Sequence, residues 1–200
     1  MSRPARTTAV DTRARILAVA LELVSERGFA GTSIRDLAER LDLTTAAMYY
    51  HFSSKDALLD ALMEPLIDGL TDLSAKAGSG ELGEIDVLTE LLTVLSGEGA
   101  KVMGVLHGDP SAARRLKASC EPDRMFAGIV HGLARSDDRL ALLRATCAVG
   151  AIQGAVFATS HSHPGPRGSW PGFDDEDRNV VVNAALAALH SKQTRTGKGE

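Results

Sequence analysis

Thr44, Thr45, Tyr49, His51 and Lys55 fall in one short stretch, LTTAAMYYHFSSK (residues 43–55). Hydroxyls, a phenol, an imidazole and an ammonium can all donate hydrogen bonds to anionic oxygens. Bond-making chemistry would need different company. The chain shows no glycine-rich phosphate loop, no nucleophile elbow and no carboxylate pair in a supporting context. The chemistry open to this cluster is therefore recognition of a polyanion.

The surrounding pattern says how the cluster is held. Thr12 is a candidate N-cap for a first helix, with Ile16, Val19, Ala20, Leu23 and Val24 as its buried stripe. Gly28 supplies the left-handed residue that ends it. Thr32 or Ser33 caps a short second helix, and Asp36 completes a capping box if Ser33 is the cap. Its apolar face is Ile34, Leu37, Ala38 and Leu41. Asp42-Leu43 makes the turn, because Asp tolerates a left-handed conformation. Thr44 caps a third helix whose inward residues are Ala47, Met48 and Phe52. Tyr50 is expected to pack inward as well. Ser53 or Ser54 caps a fourth helix, apolar at Leu58, Leu59, Leu62, Met63 and Leu66, in which Pro65 should introduce a kink.

Two short helices about a tight turn are the arrangement that lays a helix in the DNA major groove, its N-terminal residues against base edges. Residues 44–51 fit that role. Thr45 can bond a base or phosphate, and Ala46 can touch thymine methyls. Tyr49 and His51 can donate to phosphates. Lys55 adds charge beside free helix amides, and Arg35 on the bracing helix can reach a guanine edge or a phosphate. Each residue also has a plain alternative. Arg35 and Lys55 could be solvated charges, Ser33 and Thr44 could be helix caps alone, and Tyr49 could pack.

The net charge is −4. Residues 1–56 carry eight Lys/Arg and seven Asp/Glu, against fourteen and nineteen in residues 57–200. The N-terminal part is thus only mildly basic, which argues against tight non-specific binding and leaves room for two copies acting together. No run of eighteen apolar residues exists and the N-terminus lacks an apolar signal core, so no membrane span is expected and the chain reads as cytoplasmic. Two cysteines, Cys120 and Cys147, are too few for a disulfide scaffold. With 4% aromatic residues and abundant Ala, Leu and Gly, the composition favours packed helices.

Beyond the fourth helix, residues 74–84 (SAKAGSGELGE) read as a flexible break. Helical patterns follow over 85–97, 99–107, 111–118, 122–135, 137–160 and 174–191, the last two separated by a Pro/Gly loop. The expected organisation is a flexible arm over 1–10, a helix-turn-helix domain over 11–56, a helical domain over 57–191 and a disordered tail over 192–200. The fold class is all-α.

The N-terminal pattern resembles the DNA-binding domain of the TetR family of bacterial transcriptional regulators. The resemblance rests on Gly28-Phe29, Thr32-Ser33-Ile34, Leu37-Ala38, Leu43-Thr44, Tyr49-Tyr50-His51-Phe52, Lys55 and Leu58-Leu59. It implies that Arg35, Thr45 and Tyr49 contact or approach bases, and that Ser33, Thr44, His51 and Lys55 contact phosphates. Two positions depart from the family pattern. Asp42 and Ala46 stand where glycine is frequent, which could change the operator that is read.

The resemblance also implies a ligand-responsive regulator, usually a repressor, that binds a palindromic double-stranded operator as a homodimer and is released by a small-molecule effector. No cofactor, metal or catalytic residue is expected. The helix over 137–160 (Ala148, Ala151, Gly154, Ala155) and that over 174–191 (Val181, Val182, Ala185, Leu186, Leu189) are similar to the family's dimer helices. Their alternative role is intramolecular core. Candidate effector-pocket linings are Met103, Leu106, Met125, Phe126, Ile129 and Phe157, with His107, His131 and Gln153 as polar contacts. Pro65 is the expected pivot for the response. His161 and His163 are spaced like a metal pair without a third ligand, and Cys120 and Cys147 are read as packing residues rather than redox sensors.

Overall fold

A computed structural model describes residues 9–119, 121–162 and 173–192. Among these residues all regular structure is helical. The elements are α1 (Ala9–Arg27), α2 (Ile34–Leu41), α3 (Thr45–His51), α4 (Lys55–Ser79), α5 (Glu84–Leu95), α6 (Glu98–Gly108), α7 (Pro110–Ser119), α8 (Pro122–Ala134), α9 (Arg139–Ser162) and α10 (Asp175–Leu189). The all-α expectation holds, with two corrections. Helix α1 begins at Ala9, so Thr12 lies inside it rather than at its cap. The break expected over 74–84 is helix as far as Ser79, because Leu73 and Ala77 are buried and hold the chain in register. Only Gly80, at φ 74°, and the three residues after it leave the helix. Pro65 sits within α4 without ending it. The arm over residues 1–8 and the tail from residue 193 lie outside the described residues.

Two compact units emerge. The first comprises α1–α3, the N-terminal part of α4, and α6 and α7. Its core joins Ile16, Ala20, Leu23 and Val24 of α1 to Leu37 and Leu41 of α2, Met48 and Phe52, and Leu58, Leu59 and Met63 of α4. Helix α6 packs on α1 and supplies Val102, Val105 and Leu106. Gly28 ends α1 in the left-handed region at φ 76°, its N–H on the Val24 carbonyl at 2.8 Å.

Among the described residues of this unit one charged side chain is buried. Asp109 is 7% exposed and stands between α6 and α7. It accepts hydrogen bonds from Ala30 N (2.9 Å), Ser111 N (2.9 Å), Ser111 Oγ (2.5 Å) and Ala112 N (3.4 Å). The Ser111 hydroxyl and the three amides hold its carboxyl down at about 2. A carboxyl with a depressed folded-state pKa stabilises the fold above its unfolded value and loses that contribution as pH falls through the folded value. The stability gap between the wild type and Asp109→Asn is therefore expected to narrow by about 1–2 kcal/mol between about pH 5 and about pH 2, after allowance for solvent screening. Urea unfolding across that range measures it, and a constant gap would remove the ionised form from the account.

The second unit comprises the C-terminal part of α4, α5, α8, most of α9, and α10. Val87, Leu88, Leu91, Leu92 and Leu95 bury one face of α5, which packs on α10. Helix α8 approaches α4 closely at Gly132. A Cβ there would lie 2.6 Å from the Ala77 carbonyl carbon and oxygen. Gly132→Val should thus destabilise this unit by about 1–3 kcal/mol through overpacking. Unchanged denaturant unfolding would show that α8 can move aside.

Candidate nucleic-acid interface

Capping and packing together fix the helix pair. Ser33 caps α2 in a capping box with Asp36, as the spacing predicts. Asp42 caps its C-terminus in the left-handed region (φ 55°, ψ 44°), its N–H directed at the Ala38 and Glu39 carbonyls. Leu43 N then bonds Ala38 O at 2.9 Å, closing the turn. Thr44 caps α3, its Oγ1 accepting from Ala47 N at 3.1 Å. Ser54, of the two candidates, caps α4 through Ala57 N at 3.0 Å. Met48 (0% exposed) and Phe52 (3%) anchor α3 to the core.

That anchoring decides what faces outward. Thr44, Thr45 and Ala46 are exposed, and Tyr49 is 52% exposed. Tyr50 is 80% exposed, which corrects the expectation that it packs inward. It lies two residues from Met48 and two from Phe52, so at about 100° per residue it points away from both. Its ring meets His51 edge-on at 5.2 Å. Helical periodicity anchored on Met48 and Phe52 would have identified Tyr50 as a surface residue.

The remaining candidates differ in availability. The Thr44 cap uses only the oxygen, so its O–H remains able to donate to a phosphate. Ser33 differs: its hydroxyl donates to Asp36 Oδ2 at 2.6 Å and accepts from Asp36 N at 3.1 Å. A phosphate contact from Ser33 would break that bond beside a carboxylate which the Ser33 hydroxyl and amide hold below its usual range. In the DNA-free chain the Ser33 hydroxyl serves the capping box. Arg35 pairs with Glu39 at 3.1 Å, both side chains well exposed, an i,i+4 contact worth about 0.3–0.5 kcal/mol and easily exchanged for another anion. The Lys55 ammonium sits 4.2 Å from the Phe29 ring centroid, which steadies it at the start of α4. Arg13 lies over Phe52 at 5.2 Å.

The nine candidate pocket residues are divided between the two units. Met103, Leu106 and His107 belong to the first unit, and Met125, Phe126, Ile129, His131, Gln153 and Phe157 to the second. Leu106 helps line an apolar cavity with Leu21, Val24, Leu59, Leu62, Met63, Val102 and Val105, whose volume for a water centre is about 10 Å³. That is room for about one water, far below the several hundred Å³ of a ligand site. Ile129 is fully buried core. Met125, whose Sδ accepts from Thr71 Oγ1 at 3.1 Å, Phe126 and Gln153 are half-buried. His131 is exposed, with Nδ1 against the Ala127 carbonyl of its own helix at 2.7 Å, and Phe157 is 47% exposed. The side chains of His107 and His161, and all of Cys120 and His163, lie outside the described residues. Cys147 is an exposed free thiol.

The two carboxy-terminal helices present an unexpected face. Ala148, Val182, Ala185 and Leu189, expected at a dimer contact, are instead buried in the chain's own core. The outward line of α9 is Leu143, Cys147, Gly150, Gly154 and Phe157, at helical spacing. Within Arg139–Ala158 an 18-residue window has a mean hydropathy of 1.6 with 28% of it buried, so this one helix is long and apolar enough, by length and composition alone, to cross a membrane.

Comparison with known proteins places these features. Residues 16–62 match the family model for bacterial regulatory proteins of the tetR family. The class C tetracycline repressor of Escherichia coli is 46% identical over 55 residues, 28% of this chain and 25% of that protein. The probable HTH-type transcriptional regulator ArpR of Pseudomonas putida is 31% identical over 114 residues, 54% of each chain. The matches thus span from a quarter to about half of these relatives' length. The fold extends further. A TetR-like transcriptional regulator from Rhodococcus sp. RHA1 superposes with a TM-score of 0.65 at 22% identity, over 94% of this chain and 100% of that one. Residues 16–62, from α1 into α4, thus match the tetR family of bacterial regulatory proteins, and the fold along nearly the whole chain is similar to that of a TetR-like regulator.

Proposed function

We propose that the protein is a ligand-responsive transcriptional regulator, a repressor in the first instance, that binds a palindromic operator as a homodimer in the cytoplasm. The observation that carries this reading is α3: a helix held by Met48 and Phe52 with Thr44, Thr45, Ala46, Tyr49 and Tyr50 all turned outward. Thr45, Ala46, Tyr49 and Arg35 would read base edges. Thr44, His51 and Lys55 would hold phosphates, and Tyr50 joins them. In functional terms residues 11–56 read DNA, while 57–191 dimerise and sense an effector.

Dimerisation is supported by α9. An apolar helix left mostly uncovered by its own chain needs cover. Gly150 and Gly154 have open space where a Cβ would stand, so a second helix backbone can come close. The effector is a small molecule of unassigned class. Pro65, inside α4, is the proposed pivot of the response, since it removes one backbone bond from that helix. Pro65→Ala should alter operator affinity, and an unchanged affinity would remove that role.

The reading is tested by gel shift against the DNA upstream of the protein's own gene, at rising salt. Sequence-dependent retardation that weakens steeply with salt is expected. Binding to no sequence at low salt would instead favour a helical adaptor that does not read DNA.

A further inference from the structure

The α2–α3 pair is bounded by two pieces of chain: the loop before α2 and the start of α4 after α3. Both are held by the same short helix, α7. At its N-terminal end the buried Asp109 carboxylate accepts from Ala30 N at 2.9 Å across a sequence separation of 79 residues, while also capping α7 through Ser111 and Ala112. Further along, Arg115 binds Asp60 through two nitrogens, Nε to Oδ1 at 2.8 Å and Nη2 to Oδ2 at 2.5 Å. Its Nη1 reaches Asp56 at 3.2 Å. Asp56 and Asp60 lie in the first two turns of α4, immediately after Lys55.

The chemistry of the two anchors is complementary. Ala30 is an exposed loop residue whose amide would otherwise belong to water, and an ionised acceptor roughly doubles the strength of such a bond. Asp109 is almost wholly buried, so the bond is shielded. The fork of Arg115 fixes direction as well as distance, because a guanidinium–carboxylate pair is planar and bidentate. An apolar contact could slide at either point, whereas these cannot without breaking.

We propose that α7 is a bracket for the DNA-reading pair, clamping its upstream loop through Asp109 and its downstream helix through Arg115, so that any displacement of the α6–α7 corner moves both ends of the pair together. Asp109 and Arg115 are positioning residues in this scheme and touch no DNA. The inference rests on the DNA-binding reading above, and the following measurements separate the failure of one from the failure of the other.

Amide hydrogen exchange on the full-length protein provides the test. In the free wild type, the Ala30 amide should exchange through the same opening as Ser111 and Ala112, with the same denaturant dependence and at least about tenfold slower than an open loop amide. Fast, independent exchange at Ala30 overturns the bracket, whether or not the protein binds DNA. With upstream DNA added, the wild type should show slowed exchange in both α3 and α7. In Asp109→Asn and in Arg115→Gln the slowing in α3 should persist while that in α7 is lost. Slowing in α7 that survives both substitutions overturns the proposal. If a variant does not fold, the wild-type co-exchange decides alone. Absence of any slowing in α3 of the wild type counts against DNA binding, and Ala30 then still decides the bracket.

Discussion

Replacing Leu143 with glutamate is expected to make the protein monomeric and to weaken operator binding by more than about 100-fold, with helix content unchanged. Leu143 is 52% exposed in its own chain, so a glutamate there can turn its carboxylate to water in the protomer. The cost falls on the association. A two-fold contact buries the same residue twice, and a carboxylate taken out of water without a partner costs several kcal/mol each time. The line Leu143, Cys147, Gly150, Gly154 itself carries no cation; Arg139, one turn before Leu143 at the start of α9, is the nearest on that face, and an exposed i,i+4 pair would offset only about 0.3–0.5 kcal/mol. Operator binding fails with dimerisation because one reading helix engages only half of a palindrome. Size-exclusion chromatography with light scattering, beside the gel shift, measures both effects. A variant that stays dimeric at micromolar concentration would place the two-fold contact elsewhere.

The second large effect separates adjacent residues. Tyr49→Ala should leave unfolding stability within about 0.5 kcal/mol, because the ring is half exposed, yet weaken operator binding about 10- to 100-fold in the dimer. Met48→Ala should do the reverse at the level of folding. Met48 is completely buried, and truncating it should destabilise the chain by about 2–5 kcal/mol through a cavity under α3. Urea unfolding and fluorescence anisotropy with labelled operator DNA distinguish the two. If Tyr49→Ala binds DNA like the wild type, the outward face of α3 is not the reading surface.

The contrast between these neighbours also explains what could be read from sequence. The caps at Ser33, Asp42 and Thr44 were legible because each depends on one side chain and a local backbone conformation. The stripes of α1 and α2 were legible because one face is apolar and the other polar. An aromatic side chain beside Met48 invites an inward assignment for Tyr50, but its angle from Met48 settles its direction. Helix α9 was harder for a physical reason. Small and apolar residues occur on every side of it, so spacing alone does not distinguish Ala148, which is buried, from Gly154, which is exposed. The end of α4 was obscured by Gly78 and Gly80, although the burial of Ala77 carries the helix past the first of them. The pocket candidates shared the same weakness. An apolar residue at helical spacing reports burial, as Ile129 does, and burial is no sign of a ligand.

The central claim is that two copies of α3, related by a two-fold axis, enter successive major grooves on one face of a duplex. Hydroxyl-radical footprinting of the DNA upstream of the gene addresses it directly. The account predicts two protected half-sites about one helical turn apart, roughly 34–36 Å, arranged as an inverted repeat and both lost with Leu143→Glu. A single unrepeated footprint that persists in that variant would contradict it.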